Sequence, residues 1–169
     1  MASDQPGAPA LERAARAGVP TGVFPLDDDR RARDAAIADF LEHHGVELVV
    51  LAGYMALLDP GFLGRFPGRV VNVHPALLPA FPGLRAIEQA LDYGVKVFGV
   101  TVHFVDEGVD TGPVIAQRAI ELPDAVNPAA VREALRPLEH DLLCEVVTLV
   151  ARGAVAIDPA RHRRVVVAR

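Results

Sequence analysis

Cysteine is nearly absent. Cys144 is the one thiol in 169 residues, so a disulfide framework within the chain is excluded. Its apolar surroundings, Leu142-Leu143-Cys144-Glu145-Val146-Val147, predict a buried, inert side chain rather than a nucleophile. A basic excess is lacking too: 17 Lys and Arg stand against 22 Asp and Glu, for a formal charge of −5. A general nucleic-acid surface needs a net basic face, so that class is excluded. No apolar run reaches the roughly 18 residues of a membrane span, and Met1 to Gly7 shows no basic stretch followed by an apolar one. A cytoplasmic location is expected. Cys and His at zinc spacing are missing, and no metal is expected. Internal repeats, linkers and low-complexity segments are also missing. What remains, 51% hydrophobic and 23% charged residues, suits one globular domain that buries about two thirds of its unfolded surface.

Periodicity supplies the elements. Leu11 to Arg16 reads as the end of a short helix and Thr21 to Phe24 as a short strand. Ile37, Phe40 and Leu41 recur at helical spacing within Asp29 to His44, and Gly45 suits the left-handed residue that ends many helices. Glu47 to Ala52 and Arg69 to His74 are short, nearly continuous apolar runs of the kind found in parallel strands covered on both faces. A helix is expected after Pro60, another over Ala86 to Tyr93, then strands over Val97 to Val105 and Pro113 to Leu122 joined by a glycine-bearing loop. A last helix opens with Asn127 as N-cap and Pro128 behind it and closes at Gly153, with Pro137 expected to bend or split it. The alternation predicts an α/β domain with a mainly parallel sheet.

In open sheets of this class ligands sit beyond the carboxyl ends of the strands, which is where Asn72 and His74 fall. Two apart on a strand, they project to one face, and Pro75 turns the chain away. An amide donor beside an imidazole suits an oxygen that becomes negative when a carbonyl is attacked. Spacing alone ranks a plainer reading first, in which both satisfy loop backbone groups. Asp110, in the loop Asp106-Glu107-Gly108-Val109-Asp110-Thr111-Gly112, is by itself a turn former. Paired with His74 it would orient the ring, favour its charged form and help carry away a proton.

Four ordered blocks bring a family into view: Leu51-Ala52-Gly53-Tyr54-Met55, Asn72-Val73-His74-Pro75-Ala76-Leu77-Leu78-Pro79-Ala80-Phe81-Pro82-Gly83, Gly99 to Val105, and Asp110-Thr111-Gly112-Pro113-Val114-Ile115-Ala116-Gln117. In register over nearly the whole chain, they resemble the signatures of glycinamide ribonucleotide (phosphoribosylglycinamide) formyltransferases. The resemblance implies a Rossmann-like formyltransferase fold as one domain over residues 1–169. It implies formyl transfer from 10-formyltetrahydrofolate, as co-substrate, to the amine of glycinamide ribonucleotide in purine synthesis. Asn72, His74 and Asp110 match the family's catalytic trio. Met55, Ala56, Leu57 and Leu58 match the segment lining the folate pocket, largely with backbone groups, joined there by Asn72. Val105, Asp106, Glu107, Gly108 and Val109 match the loop over the pterin. Arg30 falls where an arginine meets the folate tail, though the run Arg30-Arg31-Ala32-Arg33 also reads as solvated charge. Arg136 and Glu139 match helix positions near the ribonucleotide. Partners are then small molecules, with no nucleic acid and no membrane; a homodimer is compatible with them.

The chain departs from the family at Ala56, where a basic residue is usual, and at Arg85 and Ile87, where other polar residues are. The family's sheet begins with a strand, a glycine-rich loop and a helix, and none of these precedes Ser3-Asp4, so that βαβ portion is expected to be missing. A related deformylase usually has a second histidine where Pro75 stands, and methionyl-tRNA formyltransferase needs a further domain. A folate-binding remnant without turnover is the rival from another class. Of the other histidines, His103 in its apolar strand reads first as a satisfied core residue and second as a residue backing up the site, His43 and His44 read as a helix end, and His162 as a solvated turn.

Overall fold

The computed structural model describes residues 1–25 and 29–168. Two compact units are distinguished, Met1–Val49 with Ala56–Pro67, and Val50–Met55 with Gly68–Arg169.

In the first unit β1 (Ala2–Ser3) pairs in parallel with β2 (Gly22–Val23), and α1 (Pro9–Arg16) connects them. Helix α2 (Arg30–His43) begins where the Asp29 carboxylate accepts the Ala32 N–H at 2.9 Å, and Gly45 follows its end at φ 65°. It packs on α3 (Pro60–Arg65), burying Ile37, Ala38, Leu41, Phe62 and Phe66, while Arg65 pairs with Asp39 at 2.7 Å and with Glu42. Arg30 is exposed, whereas the solvated reading of the basic run fails for Arg33, which is 6% exposed and paired with Asp34. The reason is periodicity: Arg33, Ile37 and Leu41 are four apart and share the buried face.

Strand β3 (Val49–Leu51) leads into the second unit, which holds β4 (Val70–His74), α4 (Ala86–Tyr93), β5 (Val97–Phe104), β6 (Val114–Glu121), α5 (Pro128–Ala151), β7 (Val155–Ile157) and β8 (Val165–Val167). The sheet order is β3-β4-β5-β6. The α/β class stands, but the sheet is mixed rather than mainly parallel: β4 with β5 and β5 with β6 are antiparallel. Continuous apolar runs report burial on both faces and carry no direction. The short connection from Phe104 to Val114 leaves no room for a crossover helix, so β6 must return antiparallel.

Helix α5 packs on β5 and β6 through Val131, Leu135, Leu142 and Val146, all 0% exposed and spaced at four and seven residues. Asn127 caps it by accepting the Ala129 N–H at 2.8 Å. Pro137 does not split it; at an exposed position the carbonyl it leaves unbonded, that of Glu133, can turn to water. Cys144 is exposed rather than buried, because it falls two residues from both Leu142 and Val146 and so off their stripe.

Candidate active site

The antiparallel register sets two residues of β5 against the pair predicted on β4: Asn72 opposes His103, and His74 opposes Thr101. All four side chains therefore share one face. Opposite β6 the register shifts between Val102 and His103, a β-bulge at the end of the strand that leads to the Asp110 loop. That loop winds around Asp106, whose Oδ1 accepts from Gly108 N–H at 3.1 Å and from the Thr111 hydroxyl at 2.6 Å. Asp110 then takes φ 52°, a left-handed conformation that aspartate tolerates better than most residues.

The carboxylate of Asp110 is the hub. Its Oδ2 accepts the Gly83 N–H at 2.7 Å and lies 3.3 Å from His74 Nδ1. Its Oδ1 lies 3.4 Å from Asn72 Nδ2 and 3.5 Å from His103 Nε2. Hydrogen bonding from His103 is the main cause that holds the Asp110 carboxyl down at about 2, burial opposing it. The Gly83 N–H and positive charge at His74 and His103 add to the lowering. His74, 4% exposed, has oxygen acceptors at both ring nitrogens, Asp110 on one side and the Phe81 carbonyl at 2.8 Å from Nε2 on the other. A hydrogen on Nε2 satisfies the Phe81 carbonyl, and a hydrogen on Nδ1 would face Asp110.

The segment from Pro75 to Gly83 thus supplies a carbonyl to His74 and an N–H to Asp110. Phe81 at φ 53° is strained for an aromatic residue and needs support from its surroundings. Thr101, 0% exposed, gives it: its hydroxyl donates to Ala76 O at 2.7 Å and accepts from Leu78 N at 3.0 Å and Gln117 Nε2 at 2.9 Å. Gln117 Nε2 also donates to Leu78 O at 2.9 Å. Thr101→Val keeps the shape and strands buried backbone groups, so denaturant unfolding should show a loss of about 1–3 kcal/mol. Thr101→Ser should restore most of it; equal losses for Val and Ser would mean that the hydroxyl bonds are not what holds the segment.

A profile of the formyl transferase family matches residues 1–147. This chain belongs to the formyl transferase family. It is 44% identical over 142 residues to a phosphoribosylglycinamide formyltransferase of Bacillus subtilis, covering 83% of this chain and 73% of the relative. Glycinamide ribonucleotide transformylase 1 from Symbiobacterium toebii is 45% identical and superposes with a TM-score of 0.94 over 99% of this chain and 79% of that one. A formyltetrahydrofolate deformylase from Burkholderia mallei is more distant, at 33% identity and TM-score 0.84, covering 99% of this chain and 58% of that one.

In this formyltransferase chain the predicted trio converges within the second unit, and His103 joins it. A lone histidine in an apolar strand reads as core; the cross-strand partnership with Asn72 is the signal that sequence spacing alone does not carry. The loop Val105 to Val109 directly precedes Asp110, and residues 106–109 are exposed. Met55 and Leu57 are exposed, at 72% and 49%, while Ala56 and Leu58 are half-buried. Arg30 is exposed at the first turn of α2. Arg136 pairs with Glu133 at 2.9 Å, and burial raises the Glu139 carboxyl against the lowering charges of His140, Arg132 and Arg136. Among the described residues, neither Arg136 nor Glu139 is hydrogen-bonded or ion-paired to the trio. Arg85 is exposed at φ 61°, and Ile87, at 3% exposure, serves the core beneath α4.

Proposed function

We propose that this formyltransferase moves the formyl group of 10-formyltetrahydrofolate to the primary amine of glycinamide ribonucleotide, a step of purine synthesis. The observation that carries the reading is the cluster at the end of β4, where the Asp110 carboxylate lies 3.3 Å from the His74 imidazole and 3.4 Å from the Asn72 amide. The names of the relatives support the ribonucleotide as acceptor, and that of the deformylase a formyltetrahydrofolate as donor. In the reaction the amine nitrogen bonds to the formyl carbon, and the carbonyl oxygen takes the electron pair. Asn72 Nδ2 donates to that oxygen. His74 Nε2–H stays on the Phe81 carbonyl, and its Nδ1–H, at 3.3 Å from Asp110 and so longer than a good hydrogen bond, is the one available to the oxyanion. Asp110, ionised throughout the neutral range, keeps hydrogen on Nδ1 and receives the proton lost by the attacking amine, directly or through one water. Collapse then breaks the bond to the folate nitrogen, which takes up the proton.

The match to a deformylase gives one rival, since hydrolysis of the same folate could use the same oxyanion site. The two separate on the acceptor. With 10-formyltetrahydrofolate and no amine, little formate should appear; adding glycinamide ribonucleotide should start consumption of the folate and yield the formylated ribonucleotide. Rapid formate release that ignores the ribonucleotide would assign the chain to hydrolysis instead.

A further inference from the structure

The segment read as lining the folate pocket has no helix or strand of its own over Ala56, Leu57 and Leu58, yet it is expected to bind through backbone groups. Something else must fix where those groups lie. Within the first unit, the chain is pinned directly after them. The Asp59 N–H donates to Asp34 Oδ2 at 2.7 Å, a link across 25 residues to the second turn of α2. Asp59 then caps α3 by accepting the Gly61 N–H at 2.8 Å. Asp34 is 0% exposed, and its other oxygen is held by Arg33 through Nε at 2.9 Å and Nη2 at 2.7 Å.

A buried ion pair is a weak source of stability, because desolvation offsets most of its attraction. A charge-assisted bond to a backbone N–H is short, strong and directional. Arg33 fixes the orientation of the Asp34 carboxylate, Asp34 fixes Asp59, and Asp59 ends the Ala56–Leu58 segment. We infer that Asp34 is the positioning residue of the folate-lining segment, setting donor affinity without touching the reacting atoms. The inference rests on the folate reading above.

Tetrahydrofolate binding by calorimetry and steady-state kinetics of the full chain test it. Asp34→Asn keeps the shape but gives up the ionic bond, and should weaken tetrahydrofolate binding about tenfold. The KM for the formyl donor should rise with it, while kcat at saturating donor and the affinity for glycinamide ribonucleotide stay unchanged. A second pair of variants works even if that one folds poorly. Asp59 has φ −69°, the value proline imposes, so Asp59→Pro removes the N–H that Asp34 accepts without forcing that angle. Asp59→Ala loses the same cap but keeps the N–H, and should bind tetrahydrofolate about tenfold more tightly than the proline variant. Equal affinities of the Asp59 pair, or an Asp34→Asn protein that melts lower with an unaltered donor KM, overturn the inference alone. Wild-type protein that binds no tetrahydrofolate overturns the folate reading and this inference with it.

Discussion

Asp110→Asn should lower turnover by roughly 10²–10⁴-fold, the range in which a positioned acid or base contributes, with folate binding nearly unchanged. The amide preserves the shape, and its oxygen can still accept the Gly83 N–H. It cannot take a proton at neutral pH, and its neutral charge no longer favours hydrogen on the His74 nitrogen that faces it. The loss therefore belongs to kcat, since the charge matters where the oxyanion and the ammonium develop. Single-turnover rates and equilibrium binding of folate, measured on the same preparation, separate the two; retained turnover with weakened binding would make Asp110 a binding residue. A pH consequence follows with its sign. The folded carboxyl sits at about 2, below its ordinary 3.8, so its contribution to stability is present above 3.8 and lost as pH falls toward 2. Acid unfolding of the Asn variant should be less steep in that window. An acid limb of activity above pH 4 must come from a group other than Asp110.

Asn72 and His74 could be singled out from letters alone because a strand places alternate residues on one face and the run of valines marks where it ends. Asp110 needed the family's blocks, since nothing local distinguishes a hub carboxylate from a turn former. His103 reads first as core for the opposite reason. Its neighbours Val102 and Phe104 are core residues, at 0% and 5% exposure, and only the pairing register reveals that His103 stands opposite Asn72. Arg33 and Cys144 differ from what composition suggests for one reason: a basic run and an apolar run each wrap around a helix, and the face decides burial. Strand direction was not legible in apolar content, although the length of the connection from Phe104 to Val114 contains it. The two- and three-residue strands β1 and β7 are too short to show any alternation, and they exist through their partners.

Gly112→Ala should be the most damaging single methyl group in the second unit. A Cβ there would lie 1.8 Å from the Phe104 carbonyl oxygen and 2.8 Å from its carbon, both backbone atoms of β5 that no rotamer change can move. The pair of chains must separate by more than an ångström, and the displacement falls between the bulge at His103 and the loop that carries Asp110. The Phe104 N–H to Pro113 O bond, 2.9 Å, spans this same gap and would be stretched or broken. Overpacking of this kind costs about 1–3 kcal/mol and sometimes more, which lowers the thermal midpoint. The larger effect is on the site. Contacts of 3.3 to 3.5 Å between Asp110 and His74, Asn72 and His103 do not survive an ångström of drift, so turnover should fall on the order of 10²-fold even at temperatures where the protein is folded. Gly108→Ala provides the comparison, because its Cβ would meet the Thr111 side chain at 2.0 Å, which can rotate away at the expense of one hydrogen bond to Asp106. Circular dichroism melts and turnover for both variants decide the matter: comparable losses for the two would show that the loop moves as one body, and that the tight crossing at Phe104 is not what aims Asp110.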